Sequence, residues 1–118
     1  RKENIRRAGE VAKVFFEHGH IVLCTFISPF KRDRELVRNL FPPGRFIEIH
    51  VHCDIEECRR RDPNGLYKKA VSGVINNFTG LSSPYEQPDM PELVVDTKNY
   101  SLQECVDKLE EYLKITFY

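Results

Sequence analysis

Hydrophobic side chains in the first part of the chain recur with the period of an α-helix. Across residues 4–18 they are spaced three and four positions apart, as Ile5, Ala12 and Phe16 illustrate, and this spacing places them on one face of a helix. Gly19 follows where helices commonly end in a left-handed residue. The pattern therefore predicts a helix over residues 4–18 that ends at Gly19.

Three short segments are rich in the residues that favour strands. They are residues 21–26 (IVLCTF), 46–51 (FIEIHV) and 93–96 (LVVD). The first and the last are almost continuously apolar, which is typical of strands covered on both faces of a parallel sheet. We therefore predict three strands.

The segments between and after these runs carry helix signals. Residues 31–40 have the pattern of a helix that the prolines and glycine at 42–44 end, because proline cannot continue a helix. A short helix is also predicted at residues 66–71. Two pairs resemble the capping box that opens a helix: Asp54 with Glu57, for a helix to about Arg61, and Ser101 with Glu104.

The helix after Ser101 has an amphipathic pattern. Its apolar side chains recur at helical spacing, so they are expected to face inward. These inward positions are Leu102, Cys105, Val106, Leu109 and Leu113.

Strands that alternate with helices predict an α/β fold, with three layers built around a parallel sheet. Three strands make a thin sheet for this architecture, and the chain opens at Arg1 inside a charged helical run, with its only methionine at Met90. We therefore expect a fold that is incomplete at the N-terminus. Residues 1–118 are interpreted as one domain, in which the interrupted, polar segment 62–91 forms a mobile lid.

Composition narrows the class of protein. With 31% charged residues, 41% hydrophobic residues and a formal net charge of zero, the chain has the make-up of a globular protein and not that of a general nucleic-acid binder. No stretch approaches the roughly 20 apolar residues of a membrane span. The four cysteines show no paired short spacing, which favours free thiols in a reducing cytoplasm.

Four ordered motifs identify a family. Residues 1–7 (RKENIRR) resemble the R-x-E-N-I-R-R segment of adenylylsulfate (APS) kinases, and residues 26–30 (FISPF) match their F-I-S-P-[FY] segment. Residues 61–70 (RDPNGLYKKA) resemble R-D-x-K-G-L-Y-K-K-A. Residues 77–80 (NFTG), followed by residues 83–88 (SPYEQP), are similar to G-F-T-G and Y-E-x-P. The resemblance extends from residue 1 to about residue 113.

The resemblance implies a P-loop-kinase-like fold and a phosphotransferase activity. APS kinases use ATP and Mg²⁺ to phosphorylate the 3′-hydroxyl of APS, which gives PAPS for sulfate assimilation. The partners implied are APS and ATP, a second copy of the chain in a homodimer, and an ATP sulfurylase that is fused or associated. No nucleic acid and no membrane is implied.

The resemblance also indicates which residues meet the substrates. Arg1 can form bidentate, charge-assisted bonds to a phosphosulfate, and Asn4 lies one turn further along the same helix. Lys68 and Lys69, with Arg61, form a basic lid suited to the charge of phosphoryl transfer; without a ligand they would be ordinary surface charges. The substrate-binding positions implied are Arg1, Asn4, Ile27, Ser28, Asn64, Asn77 and Phe78.

Ser28 is the one position for which the resemblance implies a catalytic role. The family places a phosphoserine intermediate at this serine, and Ile27 and Ser28 lie just after a predicted strand, where open α/β sheets bind ligands. No histidine or carboxylate is adjacent in sequence to activate the hydroxyl. We therefore expect Ser28 to position the substrate and not to act as a nucleophile.

Two lid positions leave alternatives open. Phe78 is the aromatic residue expected to stack on the adenine of APS, and the alternative is an apolar anchor that packs the loop. Asn64 occupies a position where the family usually has a substrate-contacting lysine. An amide can donate a hydrogen bond to a phosphate oxygen but supplies no charge, so weaker APS binding is expected.

The histidine pair His50 and His52 is a candidate for a zinc site. His50 and His52 share one face of a predicted strand, and Cys58 follows them. This spacing fits no standard structural zinc site, so no metal site is predicted from these residues.

Two parts of a complete kinase do not occur in these 118 residues. Phosphoryl transfer needs a phosphate cradle, and neither the family's glycine-lysine P-loop nor its D-G-D segment is present. We expect the chain as given to be inactive by itself while it retains the APS half of the site. The alternatives are a non-catalytic regulatory module that binds APS or PAPS, and a relative of the nucleoside monophosphate kinases.

Overall fold

The computed structural model describes residues 2–81 and 83–117, and these residues form two compact units. Unit 1 comprises the described residues of Arg1–Phe46 and Tyr85–Pro88. Unit 2 comprises those of Ile47–Pro84 and Asp89–Tyr118.

Unit 1 begins with helix α1, Lys2–Glu17. Ile5 and Ala12 are buried on its inner face, as the helical spacing predicts. Gly19 has a φ of 86°, and its N–H donates to Phe16 O at 3.0 Å. The predicted helix and its left-handed end are therefore confirmed.

The predicted strand at residues 21–26 is wrong for this structure. These residues belong to no strand among the described residues, and Leu23 and Ile21 are 72% and 59% exposed. A strand forms only when a neighbouring strand accepts and donates its main-chain hydrogen bonds. The composition of this segment favours a strand, but the described residues of unit 1 contain no strand with which it could pair.

Helix α2 spans Lys31–Arg38 and completes unit 1. It is shorter than the predicted 31–40. The chain after it turns over an aromatic cluster in which the Phe41 ring lies 5.3 Å from that of Phe16 and 6.0 Å from that of Phe46. The guanidinium of Arg38 covers the Phe46 ring at 4.8 Å, so this end of α2 is held by ring contacts.

Unit 2 contains a two-stranded parallel sheet. Strand β1, Ile49–His52, pairs with strand β2, Leu93–Asp96, and His50 lies opposite Val94. Leu93 and Val95 are buried in the sheet. The α/β class with a parallel sheet is confirmed. The predicted third strand, β2, has the predicted bounds, and the predicted strand at 46–51 lies three residues later at its start.

Three helices complete unit 2. They are α3, Ile55–Arg61, α4, Leu66–Val71, and α5, Leu102–Phe117. The Ser101 N–H donates to Glu104 Oε1 at 3.0 Å, and the Glu104 N–H donates to Ser101 Oγ at 3.1 Å. The predicted capping box of α5 is therefore confirmed.

The predicted capping box at Asp54 is wrong. The Asp54 side chain makes no hydrogen bond that caps α3. Its Oδ2 accepts instead from Lys98 Nζ at 2.8 Å. A charged donor makes a stronger bond than a main-chain N–H, so the carboxylate points to the lysine.

The inner face of α5 is only partly buried. Cys105, Leu109 and Leu113 are half-buried as predicted, but Leu102 and Val106 are 82% and 45% exposed. Two short strands present too little apolar surface to cover a helix of sixteen residues. No helix in the described part of the chain has the length and apolarity needed to cross a membrane.

Gly9 offers a test of the packing inside unit 1. It is buried on α1, and a Cβ at this position would lie 3.0 and 3.1 Å from the Val37 methyl groups and 3.3 Å from Leu40 Cδ1. Gly9→Ala should gain about 1 kcal/mol of helix propensity and lose about 1–3 kcal/mol to overpacking. We expect a net loss of about 1 kcal/mol in the free energy of unfolding, measured in urea.

The matched control removes the obstructing methyl groups. In a Val37→Ala background the two closest contacts disappear and only Leu40 Cδ1 at 3.3 Å remains, so Gly9→Ala should stabilise the protein by up to about 1 kcal/mol. If Gly9→Ala has the same sign in both backgrounds, the close approach of α1 and α2 is not the cause.

Candidate functional site

Unit 1 contains a strained turn at the F-I-S-P motif. Ser28 has a φ of 38°, a region that residues with a Cβ seldom adopt. Pro29 follows, and a residue before proline is already restricted by the proline ring. Pro29 is fully buried, whereas Ile27 is 61% exposed. The turn therefore holds Ser28 in an unfavourable backbone conformation, next to the exposed side chain of Ile27.

Arg34 holds this turn from helix α2. Its Nη1 donates to Ser28 O at 2.6 Å, and its Nη2 donates to Glu86 O at 2.7 Å. Glu86 also binds the turn and the start of α2. Its N–H donates to Pro29 O at 2.8 Å, and its Oε1 accepts from the Lys31 N–H at 2.8 Å. These four hydrogen bonds, named here the Arg34–Glu86 clasp, join two segments of unit 1 that are distant in sequence.

One buried carboxylate lies in the same helix. Asp33 is 5% exposed, and its Oδ1 has no hydrogen-bond partner among the described residues. It occupies the first turn of α2, where the helix macrodipole favours a negative charge. Asp33 therefore has an electrostatic reason to be tolerated at this position.

The first turn of α1 places the predicted ligand Asn4 on an exposed surface. Glu3 accepts hydrogen bonds from Arg6 at 2.6 Å and from Arg7 at 3.2 Å, and the bond from Arg6 lowers the pKa of this carboxyl. The positive charge of these two arginines is thus partly neutralised within the helix. Arg1, the other predicted ligand here, lies outside the described residues.

In unit 2 the carboxyl ends of the two strands are joined by a hydrogen-bond network. The N–H and Oγ1 of Thr97 both donate to His52 O at 2.9 Å. Lys98 binds Asp54 as described above and lowers the pKa of that carboxyl. The segments that follow the two strands are therefore bonded to each other.

Arg61 takes part in this network. Its Nη2 donates to Thr97 O at 2.8 Å, and its Nε donates to Glu57 Oε1 at 2.9 Å. Glu57 also binds Arg60 at 2.6 Å, and this hydrogen bond is the main cause that lowers the pKa of Glu57 to about 2. Arg61, predicted as a cation for phosphate, is thus engaged in structural contacts.

Helix α4 presents the remaining predicted cations. Asp62 accepts from the N–H groups of Tyr67 at 3.0 Å and Lys68 at 3.2 Å, so its carboxylate satisfies the free donors at the start of this helix. Lys68 and Lys69 are exposed and have no ion-pair partner within the described part of the chain. Their charge is therefore accessible to a ligand.

A cavity of about 260 Å³ opens beside α4. Acidic, basic, aromatic and apolar side chains share its wall. The lining residues are Arg59, Asp62, Tyr67, Lys68, Val71 and Ser72.

Phe78 contacts Tyr67 edge to face, with 4.9 Å between the ring centroids. Burial raises the pKa of Tyr67 to about 12, and the neighbouring Cys58 adds to this shift. Burial likewise raises the pKa of the Cys58 thiol. The Phe78 ring is only half-buried, so it packs on Tyr67 and still has an accessible surface.

The two predicted asparagine ligands of unit 2 are both exposed. Asn77, next to Phe78, has a φ of 53°, which asparagine tolerates better than most residues. Asn64 precedes Gly65, whose φ is 66°. Within residues 2–81 and 83–117, no group of three or more histidine, cysteine, aspartate or glutamate side chains is placed to hold a metal ion.

Sequence reasoning missed four residues that organise these regions: Arg34, Glu86, Asp62 and Thr97. Asp62 and Glu86 lie inside the R-D-x and Y-E-x-P motifs quoted above. Both are charged residues inside a family motif for which no contact was predicted, and their place in the motif could have identified them. Arg34 and Thr97 bind main-chain carbonyls and had no comparable signal.

Comparison with known proteins identifies the family. The sequence model of the family described as adenylylsulphate kinase matches residues 1–96. The adenylyl-sulfate kinase of Bacillus licheniformis is 57% identical over 114 residues, which cover 97% of this chain and 58% of the relative. That of Acaryochloris marina is also 57% identical over 114 residues, covering 97% of this chain and 56% of the relative.

A solved structure supports the same assignment. The Mycobacterium tuberculosis APS kinase CysC, solved in complex with AMPPNP and APS, superposes with a TM-score of 0.87 at 36% identity, over 96% of this chain and 66% of that chain. The predicted P-loop-kinase-like α/β fold is therefore confirmed. The chain spans a little more than half the length of the curated relatives. On its sequence and its fold, the chain belongs to the adenylylsulphate kinase family.

Proposed function

We propose that the protein that carries these residues transfers a phosphoryl group from ATP to the 3′-hydroxyl of adenylyl sulfate and so forms PAPS. The observation that carries this proposal is backbone strain. Ser28 (φ 38°) and Asn77 (φ 53°) are the non-glycine residues in the left-handed region of φ among the described residues, and both lie in predicted substrate segments. Strained conformations persist where function requires them.

The proposed substrate contacts follow the predicted positions. Arg1 and Asn4 bind the phosphosulfate, the backbone at Ile27 and Ser28 orients the ligand, and Asn64 adds an uncharged hydrogen bond. Because Ser28 O already accepts from Arg34, this turn has the fixed geometry expected of a positioning element. A nucleophilic role for Ser28 is not part of the proposal, since no described base is bonded to its hydroxyl.

Lys68 and Lys69 are proposed to supply positive charge to the phosphates. They remain exposed and lack an ion pair in the part of the chain that the structure describes, whereas Arg61 is held by Glu57 and Thr97. We therefore assign Arg61 a supporting role at the base of the lid. Asn77 and Phe78 are proposed to form the part of the site that binds the adenine of adenylyl sulfate.

ATP and Mg²⁺ are proposed as co-substrate and cofactor of the whole protein. The 118 residues contain no glycine-lysine phosphate cradle, and the described residues form no metal-ligand cluster. These residues therefore do not fit a magnesium site, and no step of the reaction is assigned to a metal held by them. We propose that the part of the relatives that this chain does not span carries the ATP site.

A cytoplasmic location and a homodimer are proposed with the activity. All four cysteines are free in the structure, which is consistent with a reducing compartment. Fusion or association with an ATP sulfurylase, which would deliver adenylyl sulfate, is the corresponding proposal for a partner.

The activity is tested with the full-length protein that contains these residues. Incubated with ATP, Mg²⁺ and adenylyl sulfate, it should form PAPS and ADP in equal amounts, measured by ion-exchange chromatography. The 118-residue chain, under the same conditions, should form none, because it lacks the phosphate cradle. If the full-length protein binds adenylyl sulfate tightly but forms no PAPS, the regulatory module is the correct alternative.

A substitution at Phe78 separates adenine stacking from loop packing. If Phe78 stacks on the adenine, Phe78→Leu in the full-length protein should cost about 1–3 kcal/mol of adenylyl sulfate binding. Titration calorimetry gives this affinity, and differential scanning calorimetry gives the melting temperature.

Tyr67→Leu is the matched control, because it removes the other ring of the same aromatic pair. Both variants should lower the melting temperature to a similar extent, but only Phe78→Leu should lose the affinity. Equal losses of affinity in the two variants, or none in either, would show that Phe78 only packs the loop.

A further inference from the structure

Arg34 uses both ends of its guanidinium group to bind the main chain. Both of its Nη atoms donate to main-chain carbonyls, one at Ser28 and one at Glu86, at 2.6 and 2.7 Å. The side chain is half-buried. A charged donor committed to two carbonyls fixes backbone geometry and does not merely add surface charge.

The two accepting carbonyls belong to segments 6 and 52 residues away from Arg34. A guanidinium presents its donors in a rigid, planar fork, whereas an ammonium group is a single point on a flexible stem. Only the fork can hold both carbonyls at a fixed separation. Lysine at this position would keep the charge and lose the geometry.

The Ser28 carbonyl is the place where such a restraint is needed. With a φ of 38° and a proline after it, Ser28 would relax to an extended conformation if the surrounding structure did not hold it. Arg34 binds the carbonyl of this strained residue, and Glu86 N–H binds the carbonyl of the buried Pro29 at 2.8 Å. The Arg34–Glu86 clasp thus restrains two successive peptide groups.

We infer that Arg34 is a positioning residue for adenylyl sulfate: it holds the Ser28–Pro29 backbone, through the Arg34–Glu86 clasp, in the conformation that receives the substrate. This inference rests on the proposed function. Arg34 touches no reacting atom in this account. Its contribution is to affinity for adenylyl sulfate and not to the ATP site.

The test uses Arg34→Lys in the full-length protein. Because a charge-assisted bond to Ser28 O is lost, the KM for adenylyl sulfate should rise about tenfold, and the KM for ATP should stay within about twofold of the wild-type value. Titration calorimetry should show the same loss of adenylyl sulfate affinity without turnover. Arg32→Lys, at an exposed neighbour on the same helix, is the matched control and should change neither constant.

A double-mutant cycle distinguishes positioning from general stability. Glycine adopts a positive φ without strain, so in a Ser28→Gly background the restraint is less needed. Arg34→Lys should then raise the KM for adenylyl sulfate by less than about threefold. An equal loss in the two backgrounds, or an equal rise in both KM values, would overturn the inference.

Two further outcomes are decisive. If Arg34→Lys does not fold, Glu86→Ala takes its place: it removes only the acceptor for the Lys31 N–H and should give a smaller rise in the same KM. A wild-type protein that neither binds nor phosphorylates adenylyl sulfate would overturn the proposed function and this inference together. A wild-type protein that does both, with an unchanged KM in Arg34→Lys and Glu86→Ala, would overturn the inference alone.

Discussion

The parallel pairing of β1 with β2 is the interaction on which the rest of unit 2 depends. It brings His52 beside Asp96, so that the segments after β1 and β2 both leave the sheet at the same edge. Thr97 then binds His52 O, and Lys98 binds Asp54. These contacts become possible only after the strands have paired, because they join residues 45 and 44 positions apart. The start of the lid is fixed by the same pairing, through the Arg61 contact with Thr97 O.

The basic residues of helices α3 and α4 fall into two classes. Arg60 and Arg61 share the carboxylate of Glu57, and that pairing depresses the pKa of Glu57. Lys68 and Lys69, one short helix later, are exposed and keep an accessible charge. Position relative to Glu57 therefore decides which of these cations are paired with a carboxylate and which remain exposed.

Local signals in the sequence predicted local structure well. Helix α1 ends at Glu17 with Gly19 in the left-handed conformation, and the Ser101–Glu104 capping box forms, because residues within one or two turns supply all the interactions involved. The segment at 21–26 failed as a strand because a strand needs a partner that its own sequence cannot provide. Asp54 failed as a cap because Lys98 offered a charged donor. The Arg34–Glu86 clasp joins side chains to carbonyls in distant segments. Such contacts produce no periodic pattern in the sequence, so the sequence could not predict them.

The central claim is that these residues carry the adenylyl sulfate half of a kinase site. A crystal structure of the full-length protein with adenylyl sulfate tests it directly. The account predicts the adenine ring stacked on Phe78 within about 4 Å, a normal van der Waals distance, and the ligand within hydrogen-bond distance of the Ser28 main chain. A ligand bound away from both residues, with no adenine ring against Phe78, would contradict the account.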